Sequence, residues 1–162
     1  MATTIHLLIG SNMGDRQAYL AQAIAQIGQK IGTITEKSRL YETQAWGVTQ
    51  QPDFINQALA VETTLSPQAT LAKILDIETE MGRVRTEKWA ERTIDIDILL
   101  FADRIVDEPD LQIPHPRLPE RNFALVPLME IAGEVEHPFL KMTIEDIYFE
   151  SPDTLDVFEV EE

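Results

Sequence analysis

The chain contains no cysteine, so neither a disulfide framework nor a thiolate zinc site is available, and a stable fold has to come from an apolar core. It also lacks any apolar run near the roughly 20 residues that a membrane-spanning helix requires. Its most apolar stretch, Ile96-Asp97-Ile98-Leu99-Leu100-Phe101, is strand-length and interrupted by a charge. The opening residues MATTIHLLIGSN have neither the basic start nor the long apolar segment of a secretory signal. A cytoplasmic protein with no membrane insertion is expected. Positive charge is scarce as well: 13 Lys and Arg stand against 28 Asp and Glu, for a formal net charge of −15. Such a surface repels a polyanion over most of its area, which argues against a nucleic-acid binder. Nor does a Gly-x-x-x-x-Gly-Lys-Ser/Thr motif occur. Gly10-Ser11-Asn12-Met13-Gly14 lacks both the lysine and the spacing, which excludes a standard phosphate-binding loop.

What is present points to one domain. A chain of 162 residues, 44% of them hydrophobic, can bury one proper core and is too short for two ordinary ones. Residues 1–150 are read as that domain. Residues 151–162 are acidic with few large apolar side chains and are expected to be a frayed tail. No apolar surface stripe stands out in the pattern, so a monomer is expected.

Thr4 to Ile9 reads as a strand punctuated by Gly10-Ser11-Asn12. After Asp15, Leu20, Ile24, Ile27 and Ile31 recur at helical spacing. Two extended runs follow, Thr33 to Thr43 and Phe54 to Leu65, with a loop holding Trp46, Gly47 and Pro52 between them. Ser66-Pro67 is an N-cap followed by proline at the first helical position; Leu71, Ile74, Leu75 and Met81 mark one face of a second helix that ends near Gly82. A basic loop leads into a last strand, Thr93 to Phe101. The order β-α-β-β-α-β predicts an α+β, ferredoxin-like core with an antiparallel sheet and two helices on one face. A hairpin through Ile105 and Ile113, a proline-rich turn at Pro114-His115-Pro116, a helix from about Glu120 to Ala132 and a short helix over Thr143 to Phe149 are expected to decorate it.

The chemistry gathers at the last core strand. Side chains at i and i+2 share a strand face, so Asp95 and Asp97 project together while Ile94, Ile96 and Ile98 point the other way. Two carboxylates about 7 Å apart repel one another unless a cation lies between them, and magnesium favours such hard oxygen ligands, with phosphate oxygens completing its shell. The plain alternative for an Asp-x-Asp pair is a solvated strand face. Against it stand Arg83, Arg85, Lys88 and Arg92, clustered on the loop entering the strand, so that phosphate donors and metal ligands converge. His115, held between two prolines, and Arg121, six residues on, could both reach an anion near that turn. His6 and His137 are read as structural. Glu78 lies within an apolar helix face and needs a cationic partner or a raised pKa; a catalytic and a structural role both stay open. Trp89, inside the basic loop, either covers a flat ligand or anchors the loop to the core.

Gly82-Arg-Val-Arg85, Trp89, Arg92-Thr-Ile-Asp-Ile-Asp-Ile98, Pro114-His115, Arg121-x-Phe123, Gly10-Ser11-Asn12 and Gln51-Pro-Asp-Phe-Ile-Asn56 occur in one order along the chain. Together they resemble the 6-hydroxymethyl-7,8-dihydropterin pyrophosphokinase family from Ile5 to about residue 150. The resemblance implies transfer of pyrophosphate from ATP to the pterin hydroxymethyl group, release of AMP, a place in folate biosynthesis and a ferredoxin-like scaffold. It implies two magnesium ions (Mg2+) on Asp95 and Asp97, and catalytic roles for these two and for Arg83 and Arg92. ATP contacts would come from Arg83, Arg85, Trp89, Arg92, Ile98, His115 and Arg121. Pterin contacts would come from Thr43, Phe54, Asn56, Trp89, Asp95 and Phe123. Glu78 matches a family acid without a derived role. Three positions depart from the pattern: Phe54 where tyrosine is frequent, Glu91 where proline is common, and Asp110 where a basic residue helps bind ATP. Glu91 is expected to loosen loop closure and weaken ATP binding. Read from the residues alone, a magnesium-dependent phosphohydrolase or sugar-nucleotide transferase stays open, and so does a non-catalytic ligand-sensing module.

Overall fold

A computed structural model describes residues 2–12, 14–43, 53–82 and 94–160. Strand β1 (Thr3–Ser11) leads to helix α1 (Arg16–Lys30), then β2 (Thr33–Lys37), β3 (Tyr41–Thr43), β4 (Phe54–Thr63), helix α2 (Pro67–Glu80) and β5 (Asp95–Phe101). A hairpin of β6 (Val106–Glu108) and β7 (Leu111–Ile113) follows. A 3-10 turn (Leu118–Glu120), helices α3 (Asn122–Ala132) and α4 (Ile144–Phe149) and strand β8 (Val157–Glu159) complete the order.

The helices start where the sequence supplies caps. Asp15 accepts the Ala18 N–H, Ser66 the Ala69 N–H ahead of Pro67, and Thr143 the Asp146 N–H, each satisfying a donor that the first helical turn leaves open. Helix α2 stops at Gly82, whose φ of +85° suits a residue without Cβ.

The sheet runs β5-β1-β4-β3-β8, with β2 also on β4, and all its ladders are antiparallel. Taking β2 and β3 as two pieces of one strand, the core is the expected ferredoxin-like β-α-β-β-α-β. On one sheet face, Ile5, Leu7, Ile9, Leu59, Val61, Ile96 and Ile98 pack with Leu20 and Ile27 of α1 and Ile74 and Ile77 of α2. The opposite face is also covered: Leu8, Ala58 and Leu99 pack with Leu125 and Leu128 of α3 and Ile144 and Ile147 of α4. The later helices thus form a third layer, which is why the strands read as near-continuous apolar runs instead of alternating ones.

Two local expectations are corrected. Strand β1 does not end at Ile9 but continues through Ser11, because β4 supplies partners as far as Ile55 opposite Ser11. The C-terminal segment is not frayed where it is described: Val157–Glu159 pairs with β3, and the Val160 N–H donates to Leu40 O at 2.8 Å. Composition argued for a loose end, but the free edge of β3 offers unpaired backbone groups that a short strand can satisfy despite its acidity.

Candidate active site

Strand register assembles the site. Gly10 lies opposite Asp95 on one side and Asn56 on the other, and Asn56 lies opposite Tyr41, so Asp95, Gly10, Asn56 and Tyr41 form one row across four strands. One step along, Asp97 is opposite Leu8, whose other neighbour is Ala58. Leu8, Ala58 and Leu99 belong to the α3 side, and strand alternation places Asp95, Asp97, Gly10, Asn56, Phe54 and Thr43 on that side too.

Gly10 is required by this row. A Cβ there would come within 2.3 Å of Asn56 Oδ1, so the Asn56 amide occupies the space a side chain would take. Asn56 is 5% exposed and Thr43 3%; the Thr43 hydroxyl has no hydrogen-bond partner among the described residues. Thr43 pairs with Phe54, two residues before Asn56 on β4, so this orphan hydroxyl and the buried amide share one sheet face.

At the far end of β5, the ladder with β1 shifts between His6 and Leu7, so Leu99 is an extra residue between Ile98 and Leu100. Its carbonyl accepts the His115 N–H at 3.0 Å, which ties the proline-rich turn to the strand carrying the aspartates. Asp97, His115, Arg121 and Phe123 then line one small hollow with Leu8, Leu99, Leu118 and Ala124. Arg121 lies over the Phe123 ring, with Cζ 5.4 Å from its centroid. Burial lowers the Arg121 pKa, and the Asp97 and Asp95 carboxylates oppose that shift, so these charges feel one another across the hollow.

His115 is neutral here. Burial first, then the Arg121 and Arg117 charges, push its pKa down to about 4. Its Nδ1 accepts the Arg117 N–H at 3.2 Å, which leaves the proton on Nε2. The histidine therefore offers a neutral N–H donor instead of the cation a phosphate contact first suggests.

Glu78 is 2% exposed, and its Oε2 accepts the Ile96 N–H at 2.9 Å. Where the sequence suggests a cationic partner, Glu78 is held in part by the backbone of β5 between the two aspartates. Arg83, Arg85, Lys88, Trp89, Glu91 and Arg92 lie outside the described residues, as does the loop of residues 44–52.

Sequence reasoning passed over a second space. A cleft of about 300 Å³ runs beside β5, lined by Leu71 and Ile74 of α2, Ile96, Asp97 and Ile98, Pro109 to Gln112 in the hairpin, and His115 with Pro116. Of these, the resemblance names Ile98, whereas Leu71 reads in the sequence only as part of an apolar helix face. Gly10 was the other available signal, since glycine amid large strand residues marks a close approach. Among the described residues no group of three or more His, Asp or Glu is placed to hold a metal; magnesium commonly takes one or two carboxylates and completes its shell with phosphate oxygens.

Comparison with known proteins adds an independent line. Residues 6–133 match the family model of 7,8-dihydro-6-hydroxymethylpterin-pyrophosphokinase. A 2-amino-4-hydroxy-6-hydroxymethyldihydropteridine pyrophosphokinase of Aquifex aeolicus is 40% identical over 155 residues, covering 96% of this chain and 95% of the relative. One from Bacillus subtilis is 42% identical over 137 residues, covering 84% and 82%. Among solved structures, a Plasmodium falciparum HPPK-DHPS aligns with a TM-score of 0.74 at 20% identity. That alignment covers 91% of this chain and 43% of the Plasmodium protein, and it speaks to fold alone.

Proposed function

Because this chain belongs to the 7,8-dihydro-6-hydroxymethylpterin-pyrophosphokinase family, we propose how its own residues divide the labour of that reaction. The enzyme transfers pyrophosphate from ATP to the hydroxymethyl group of 6-hydroxymethyl-7,8-dihydropterin, in folate biosynthesis, and uses ATP with Mg2+. The phosphohydrolase, sugar-nucleotide transferase and ligand-sensing alternatives fall with that membership.

The acceptor lies over Gly10, between Asp95 and Asn56, whose amide fills the space a side chain on Gly10 would take. Asn56 and the orphan Thr43 hydroxyl bond the polar edge of the heterocycle, and Phe123 stacks on its face. Phe54 covers the other face without the hydroxyl that tyrosine would bring. The base and ribose of ATP occupy the cleft between Leu71, Ile98 and Leu111, with the hairpin as its outer wall. Asp110 in that wall brings no positive charge to ATP, so phosphate contacts fall to Arg121, the neutral His115 Nε2–H and the arginines at 83, 85 and 92.

Asp95 and Asp97 would hold the magnesium, two ions in our reading, which would screen charge on the triphosphate. In-line attack by the hydroxymethyl oxygen forms its bond to the β-phosphorus as the bond to the α,β-bridging oxygen breaks; AMP leaves with that oxygen, and the hydroxyl proton passes to solvent. The protein contributes orientation and fixed dipoles in place of covalent chemistry. Trp89 and the basic loop are assigned to cover the assembled substrates against water.

No helix among the described residues is long and apolar enough to cross a membrane. Among the described residues the exposed large apolar side chains are Leu75, Ile105, the adjacent pair Phe139 and Leu140, Phe149 and Phe158. We read the enzyme as a monomer, since these side chains come from several separate segments.

The observation that carries the proposal is the row of Asp95, Gly10 and Asn56 with Asp97, His115, Arg121 and Phe123 at its end. Its test follows AMP release from ATP, magnesium and the pterin, with wild type, Asp97→Ala and a control lacking pterin. AMP should form with wild type and pterin together, and Asp97→Ala should lose about a hundred- to a thousandfold in rate. Full activity in that variant would remove Asp97 from the metal site.

A further inference from the structure

Helix α3 begins without a cap of its own: Arg121, at its N-cap position, makes no side-chain capping bond. The acceptor comes from 31 residues away. Asp153 Oδ2 accepts the Asn122 N–H at 2.8 Å, while Asn122 Nδ2 donates back to the Asp153 carbonyl at 3.3 Å. The carboxylate is itself aimed, since its Oδ1 accepts the Leu155 N–H at 2.9 Å and the Asp153 N–H donates to Ser151 Oγ at 3.2 Å. Asn122 stands between Arg121 and Phe123, so this clip grips the helix turn that carries both.

Four residues on, the same segment joins the opposite wall. Val157 pairs with Thr43 and Glu159 with Tyr41; the strand is secured by Arg39 Nη1 to Glu159 Oε1 at 3.1 Å. Between these anchors, Pro152 to Leu155 line a hollow of about 300 Å³ whose other side is Arg117, Glu120, Arg121 and Phe123. A single stretch of ten or so residues therefore ties the turn bearing Phe123 to the strand bearing Thr43, the two sides between which the acceptor has been assigned.

We propose that Asp153 is a positioning residue for the pterin acceptor: it caps α3 from the C-terminal segment and so sets the distance between the Phe123 ring and the Thr43 edge. The inference rests on the pterin pocket assigned above. Displacing a ring or a donor by a few tenths of an ångström in a closed site weakens both stacking and hydrogen bonding. A capping carboxylate at a helix start also complements the partial positive charge there.

The test measures pterin KM, ATP KM and the melting midpoint of the full chain for wild type, Asp153→Ala, Asp153→Asn and Phe123→Ala. Asp153→Ala should raise pterin KM by about fivefold or more, the size of a lost cap. Asp153→Asn, which keeps one acceptor for the Asn122 N–H, should raise it by less than half as much. A merely structural role would lower the folded fraction and hence the apparent maximal rate, and would leave KM unmoved. Unchanged pterin KM in Asp153→Ala, alongside a raised one in Phe123→Ala, overturns the inference and spares the pocket. Unchanged pterin KM in Phe123→Ala overturns the pocket and the inference with it. If Asp153→Ala does not fold at the assay temperature, Asp153→Glu, which keeps the charge and shifts the acceptor by one methylene, decides: raised pterin KM supports the inference and unchanged KM overturns it.

Discussion

Replacing Gly10 with alanine adds one methyl group at the centre of the assigned pterin floor. An ideal Cβ at this position would lie 2.3 Å from Asn56 Oδ1, 3.3 Å from Asn56 Cγ and 3.4 Å from Ile55 O. Ordinary contact distances put the oxygen about 1 Å too close, and the shift falls on the Asn56 side chain because the β4 backbone is held by ladders on both sides. Strand stability should change little: alanine gains about 0.5–1 kcal/mol over glycine in a strand, and a strained Asn56 rotamer costs a similar amount, about 0.5–1.5 kcal/mol. The melting midpoint should therefore stay within about 4 °C of wild type. Binding should not be spared. Losing or bending two hydrogen bonds from Asn56, at about 0.5–1.5 kcal/mol each, predicts a pterin KM raised about five- to a hundredfold. ATP KM should stay within about twofold, since the nucleotide cleft lies on the other side of β5. Steady-state AMP release at varied pterin and varied ATP, with a thermal melt of the same samples, checks this. A pterin KM within twofold of wild type, or an equal rise in ATP KM, would refute the assignment of the floor.

Glu78→Ala should leave the buried Ile96 N–H without its acceptor, at about 1–3 kcal/mol, and lower the melting midpoint by about 3–10 °C; Glu78→Gln should lose less than half of that, and a melt of Glu78→Ala within 2 °C of wild type would contradict the acceptor role. For His115, the folded pKa of about 4 lies below its ordinary 6.5, so the unfolded chain binds more protons between those values. The histidine's share of stability is complete above pH 6.5 and is lost as pH falls towards 4. His115→Gln should accordingly show a shallower fall in denaturant midpoint across that window; an unchanged slope would mean that the histidine is not held neutral.

Much of this was legible in the chain because it depends on neighbours. The period of two over Ile94 to Ile98 assigns Asp95 and Asp97 to one face whatever the sheet does with them, and Asp15, Ser66-Pro67 and Thr143 announce helix starts through bonds that span three residues. The arginine cluster before β5 and the ordered motifs pointed to phosphate chemistry, and family membership agrees. The acidic tail misled, because composition records the cost of ordering a segment and not the edge that rewards it.

By itself, then, the sequence determined most of the elements ahead of the C-terminal segment, which side chains share a face, and the class of chemistry that two aspartates and a basic loop serve. Tertiary structure alone decided the rest: that Gly10 sits between Asp95 and Asn56, that an extra residue at Leu99 frees a carbonyl for His115, that Glu78 reaches the backbone between the aspartates, and that Asp153 caps a helix 31 residues earlier. Each of these is a pairing between positions distant along the chain. Such contacts are selected by register, by bulges and by the competition of all buried polar groups for partners, which no local window of residues contains.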